Sequence, residues 1–123
     1  MQVNIHTDNT IERHQGLDQH VDTVVRGALG RFGEHISRVE AHLSDEKSQK
    51  QADGDNRCTM EARVTGYQPI VVSHHSVNLH QAISGAADKL ERAVAGALGR
   101  LHDKKLREPA PIEAEADKDL TGE

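Results

Sequence analysis

The chain has 123 residues, with 15 Lys+Arg against 20 Asp+Glu for a formal charge of −5, and it contains one Cys, one Tyr, one Phe and no Trp. That length fits one domain with a modest core, and the core must be aliphatic. A lone Cys58 excludes an internal disulfide, and no apolar run is long enough to span a membrane. The opening Met-Gln-Val-Asn-Ile-His lacks the basic-then-apolar build of a signal peptide, so a cytoplasmic location is expected.

Gln2 to His6 alternates, with Val3 and Ile5 on one face, and predicts a short strand. A polar connection, Asp8 to Gln15, leads into a first helix from about Gly16 to Phe32. Its apolar positions Leu17, Val21, Val24, Val25, Ala28, Leu29 and Phe32 fall at helical spacing, and Gly33 is a plausible stop. Ile36 to Ser44 alternates again, with Val39, Ala41 and Leu43 inward and Arg38, Glu40 and His42 outward. The polar stretch from Asp45 to Asn56 reads as a hairpin loop. Its Asp53-Gly54-Asp55-Asn56 is a turn and not a calcium loop, because the spaced acidic ligands and the terminal Glu are missing.

Arg57 to Thr65 places Cys58, Met60, Ala62 and Val64 inward and Thr59, Glu61 and Arg63 outward. Cys58 is read as a small buried apolar residue. Gly66 to Pro69 is a turn, and Ile70 to His75 a fourth strand with Ile70 and Val72 inward. Asn78 to Arg107 then reads as one long amphipathic helix. Pro109 and Pro111 end it, and a tail expected to be disordered follows.

The order is β-α-β-β-β-α, an α+β class. Each strand has one clearly apolar face, so both helices are expected on the same face of a four-stranded sheet, with the other face in solvent. Two segments follow: a folded domain over 1–107 and an acidic tail over 108–123. Glycine inside a helix costs about 1 kcal/mol relative to alanine, so Gly27, Gly30, Gly85, Gly96 and Gly99 together cost roughly 5 kcal/mol, close to the stability of a small domain. The expected reason is close packing of the helices. The other reading is close approach of a phosphate backbone to exposed glycines.

The charge is segregated. Residues 1–107 hold 14 Lys+Arg and 14 Asp+Glu, whereas 108–123 hold Lys118 against six carboxylates, so the whole −5 belongs to the tail. On the last helix, Lys89, Arg92, Arg100 and Arg107 share one flank at about 100° per residue. Asp88 and Glu91 fall on the other flank. Such a stripe suits phosphate. With so few aromatics, RNA contact would run through the phosphate backbone and shape rather than base stacking.

No enzyme is expected: no acid/base pair sits in an apolar pocket, and no nucleophile or phosphate-cradling motif is present. No cofactor and no metal site are expected either. His74 and His75 point to opposite faces of their strand, and neither they nor His80 belong to a metal-ligand motif. His74 is expected to pack under the helix. Histidine protonation near pH 6 is a further route to RNA contact.

Met1-Gln2-Val3-Asn4-Ile5, Arg31-Phe32-Gly33-Glu34-His35-Ile36 and, above all, the run from Leu79 to Arg92 with its Ala-Ile pair ahead of Asp-Lys-Leu and an Arg resemble the ribosome hibernation-promoting factor family. That family is also called ribosome-associated inhibitor, ribosomal subunit interface protein or sigma-54 modulation protein. The resemblance covers roughly 1–107 and implies a bacterial, non-catalytic protein that binds the small ribosomal subunit when growth slows. It would lie in the channel used by messenger and transfer RNA, touching 16S ribosomal RNA; no DNA partner is implied.

Lys89 and Arg92 match the family's Asp-Lys-Leu-x-Arg pattern directly. Arg100, Lys104 and Lys105 match its basic helix end, and Arg26 and Arg31 are candidates on the first helix. The stretch after the last helix is too short for the dimerisation domain of the family's long form. The alternative reading is a protein–protein module of the same fold with weak RNA affinity, its partner on the solvent sheet face or the acidic tail.

Overall fold

The computed structural model describes residues 1–45 and 56–107, with side chains as far as His102. The elements are β1 (Gln2–Thr7), α1 (Gln15–Leu29), a 3-10 turn (Gly30–Phe32), β2 (Ile36–Asp45), β3 (Asn56–Val64), β4 (Ile70–Ser76) and α2 (Leu79–Arg107). This is the expected α+β order. The polar segment expected as a hairpin loop lies, over 46–55, outside the described residues, as does the tail 108–123.

Local signals set the helix ends. The His14 ring accepts the Leu17 N–H at 3.2 Å, capping α1, and Arg13 pairs with Asp18 in the first turn. Asn78 caps α2 in the same way, its side-chain oxygen accepting the Gln81 N–H at 2.8 Å. The first helix was expected to run to Phe32. Instead its α-helical part ends at Leu29, and the last turn, bracketed by Gly30 and Gly33, tightens to 3-10 form, as helix ends often do.

The sheet order is β1-β2-β3-β4. The last three strands form an antiparallel meander, with Ala41 opposite Met60 and Met60 opposite Val72. β1 pairs with β2 in parallel, Val3 beside Val39 and His6 beside His42. A parallel neighbour needs a crossover, and α1 supplies it. The β3–β4 turn rests on Gly66, whose φ of +79° is the left-handed geometry that favours glycine.

One aliphatic core joins the inward sheet face to both helices. Leu17, Val21, Val25 and Leu29 of α1 and Ile83, Leu90 and Val94 of α2 are fully or almost fully buried against Val39, Met60 and Ala62. Cys58 is fully buried there, as its alternation implied. Each helix follows a strand of the same direction and returns against it, so the helices run parallel. Contacts at two levels agree: His20 packs against His80 with tilted rings, and further along Arg31 reaches Glu91.

The expected reason for the helix glycines holds at one position only. A Cβ on Gly85 would collide with the His74 ring, so the glycine lets α2 settle onto β4 and confirms that His74 lies under the helix. At Gly27, Gly30 and Gly99 a Cβ would meet nothing within 4 Å, and at Gly96 only the Arg100 guanidinium. Those four are not packing glycines.

Candidate nucleic-acid interface

Amphipathic patterning buries Ile83, Leu90 and Val94 and so fixes the rotation of α2. Lys89, Arg92 and Arg100 are thereby left exposed on the flank beside the edge strand β4. Lys89 Nζ donates to the Ser73 carbonyl at 2.9 Å, which holds that ammonium on the edge of β4. Arg100 reaches the Tyr67 hydroxyl at 3.4 Å, near the β3–β4 turn. Arg92 lies between them and, among the described residues, has no ion-pair partner. From Lys89 to Arg100 the ridge is about 16 Å long at 1.5 Å per residue. Ser73, His74, His75 and Lys89 line a notch of about 370 Å³ at one end of it.

One of the two acids adjoining the ridge is turned away. Glu91 faces α1 and pairs with Arg31 at 3.2 Å, so it does not cancel the ridge. Of the two acids expected on the other flank, Glu91 is thus turned away, while Asp88 is exposed one turn before Arg92. Gly96 and Gly99 leave the helix surface low beside Arg100, which suits close approach of a bulky anion.

The structure does not bring all the candidates together. Arg26 is on α1, paired with Asp22 at 2.9 Å and donating to the Met1 carbonyl at 3.2 Å. Arg31 is held between Glu91 and the face of Phe32, 4.4 Å from the ring centroid. Both arginines therefore stand apart from the α2 ridge, although exposed ion pairs of this kind are worth at most about 1 kcal/mol and exchange readily. Lys104, Lys105 and Arg107 are on the helix backbone, but their side chains lie outside the described residues.

The solvent face of the sheet is polar, as the alternation implied. Glu40 and Glu61 sit opposite each other, a like-charge pair offset by Arg38 on Glu40 at 2.9 Å and Arg63 on Glu61 at 3.5 Å. The Arg38 Nε contact is an ion pair without hydrogen-bond alignment.

One cluster here escaped the sequence. His6, Glu40 and His42 converge on the outer face, their ligand atoms all within 4.8 Å of one another. The alternation shows His42 outward, but only the β1–β2 register puts His6 beside it. The histidines weighed from sequence do other work: His74 packs under Gly85, and the His80 ring lies tilted against that of His20 with centroids 4.2 Å apart. Burial lowers the His20 pKa below its usual 6.5, and the neighbouring His80 adds to this.

A ridge of cations on the last helix of a β-α-β-β-β-α domain is the arrangement expected of a protein that binds RNA through its phosphates. Residues 3–102 match the family described as sigma 54 modulation protein / S30EA ribosomal protein, and the chain belongs to that family. Its members are ribosome-associated regulators of translation and not enzymes. No curated protein matches the chain.

Two solved structures share the fold. The N-terminal domain of Protein Y from Thermus thermophilus superposes with a TM-score of 0.61 at 21% identity, over 76% of this chain and 96% of that one. A ribosomal subunit interface protein from Coxiella burnetii superposes with a TM-score of 0.66 at 12% identity, over 80% and 99%. Among the described residues no helix is long and apolar enough to cross a membrane.

Proposed function

We propose that this protein binds the small ribosomal subunit by laying the outer flank of α2 on 16S ribosomal RNA phosphates. In the channel used by messenger and transfer RNA it holds translation off when growth slows. The carrying observation is Arg92. It matches the family pattern, it is exposed between Lys89 and Arg100, and among the described residues no carboxylate pairs with it. Lys104 and Lys105 extend the same helix towards the RNA, while Arg26 and Arg31 form a secondary contact on α1 that must first release Asp22 and Glu91.

The functional unit is 1–107. Residues 108–123, which follow this basic helix end in the sequence, carry six carboxylates, and they compete with RNA for Lys104, Lys105 and Arg107.

Co-sedimentation with ribosomes across a salt series tests the reading. Each phosphate contact contributes roughly 0.7–0.9 to the log–log salt slope on simple nucleic acids. Arg92→Glu with Lys89→Glu should weaken binding and flatten that slope, and removal of 108–123 should strengthen binding most at low salt. Undiminished, salt-insensitive association in the double variant rejects the phosphate ridge. Recovery of a basic protein partner without ribosomal RNA, lost when 108–123 are removed, favours a protein–protein module instead.

A further inference from the structure

On the face of the sheet opposite the helices, and separate from the α2 ridge, two histidines and a glutamate converge. We propose that His6, Glu40 and His42 bind one divalent transition-metal ion of the zinc class. The parallel register pairs His6 with His42 directly, and Glu40 is two residues before His42 on the same strand, so all three side chains leave the same face. His6 Nε2 is 3.1 Å from Glu40 Oε1. The two imidazoles stack with centroids 4.5 Å apart and planes 14° from parallel.

The distances fit one ion. A tetrahedral zinc with ligands at about 2.0–2.2 Å keeps its donor atoms about 3.4 Å from one another. The His6–Glu40 pair, a hydrogen bond of 3.1 Å, is within a few tenths of an ångström of that spacing. The whole set lies within 4.8 Å, so a modest rotation of the exposed rings closes it.

The surroundings hold the ligands. Arg38 sits on Glu40 Oε2, leaving Oε1 directed at His6, as an outer partner orients a ligating carboxylate. Glu40 and His42 stand on a central strand whose alternate residues Val39, Ala41 and Leu43 are locked in the core. Beside the histidines a notch of about 300 Å³, lined in part by Asp8, Ser44 and Thr59, leaves room for water in the fourth position. Two imidazole nitrogens and one carboxylate oxygen are a set for Zn²⁺, with Cu²⁺ and Ni²⁺ as competitors, rather than for Mg²⁺ or Ca²⁺. The ion would tie the edge strand β1 to β2.

Calorimetric titration of the full, tag-free chain with zinc chloride tests this. One site with a dissociation constant on the order of 1–10 μM is expected, about the strength of a three-ligand open site. His6→Gln, Glu40→Gln and His42→Gln should each weaken it about tenfold or more, and His80→Gln, on the opposite face of the sheet, should leave it unchanged. Zinc should raise the Tm of the native chain and not that of the His42→Gln variant. Should a variant fail to fold, histidine ring NMR of the native chain decides, because zinc should shift His6 and His42 first. No saturable binding below about 1 mM, binding undiminished in His42→Gln, or ring shifts centred on other histidines would overturn the proposal.

Discussion

The imidazole of His74 on β4 occupies the space that a Cβ on Gly85 of α2 would take. Helix propensity alone favours alanine at Gly85 by about 1 kcal/mol. Here the ring must move, and the atoms in the way include the one that joins it to the chain. Gly85→Ala should therefore destabilise by about 1–3 kcal/mol, the usual cost of overpacking a tight contact. In a His74→Ala background the same change should be neutral or stabilising. Thermal melts of the four members of this cycle check it; an equal loss in both backgrounds would place the cause elsewhere.

Gly27 and Gly99 should behave oppositely. Neither added Cβ meets an atom within 4 Å, so Gly27→Ala and Gly99→Ala should each stabilise by about 0.5–1 kcal/mol. Being on different helices, the gains should add. Ribosome pelleting then separates them. Gly99→Ala, beside Arg100, should lower association if a phosphate approaches there, whereas Gly27→Ala should not. Two stabilised variants with unchanged pelleting would leave the low surface at Gly99 without a role in binding.

His20 makes stability depend on pH. Burial lowers its pKa, with a further push from His80, and its Nε2 is buried without a hydrogen-bond partner. The folded state thus favours the neutral ring. Its contribution is complete above the unfolded value of 6.5 and is lost as pH falls through the lower, folded value. Melts at several pH values from 7.5 down to 5 should show a smaller acid-induced drop in Tm for His20→Gln than for the native chain. His80→Gln, which removes the lesser cause, should be intermediate. Identical drops in all three would assign the acid sensitivity to other groups.

The thiol of Cys58 should be silent. Burial pushes its pKa up to about 12, so almost no thiolate exists at neutral pH. A thiol-disulfide dye at pH 8 should react with less than about a tenth of the protein within minutes, then with one equivalent after denaturation. Fast native labelling would mean that β3 opens readily.

Strict alternation made β2 and β3 readable, because a one-residue slip would turn Val39, Ala41, Met60 and Ala62 into solvent. The apolar spacing of α2 likewise fixed which flank carries Lys89, Arg92 and Arg100. What alternation does not encode is the direction of a neighbour. β1 has the same period whether it runs parallel or antiparallel, so the meeting of His6 with His42 was hidden until the register was known. Partners reached through the third dimension were hidden too. Nothing near Lys89 in the chain announces the Ser73 carbonyl, and nothing near Gly85 announces the His74 ring, sixteen and eleven residues away. The glycines were visible, but their spacing does not tell a packed one from an open one.

The parallel course of α1 and α2 has an electrostatic result. Their peptide dipoles point the same way, but the two negative ends are separate: Arg31, just past the end of α1, reaches Glu91, sixteen residues or about 24 Å short of the end of α2. Arg26 and Arg31 stand at the first of these ends, and Lys104, Lys105 and Arg107 on the last turns before the second. Cations in a final helical turn contribute roughly 0.3–1 kcal/mol by offsetting such a field. Reversing charge at Lys104 or Lys105 would therefore weaken the helix end along with any grip on RNA. Arg92, in the middle of α2 and without an ion-pair partner among the described residues, is the cleaner probe of the proposed RNA contact.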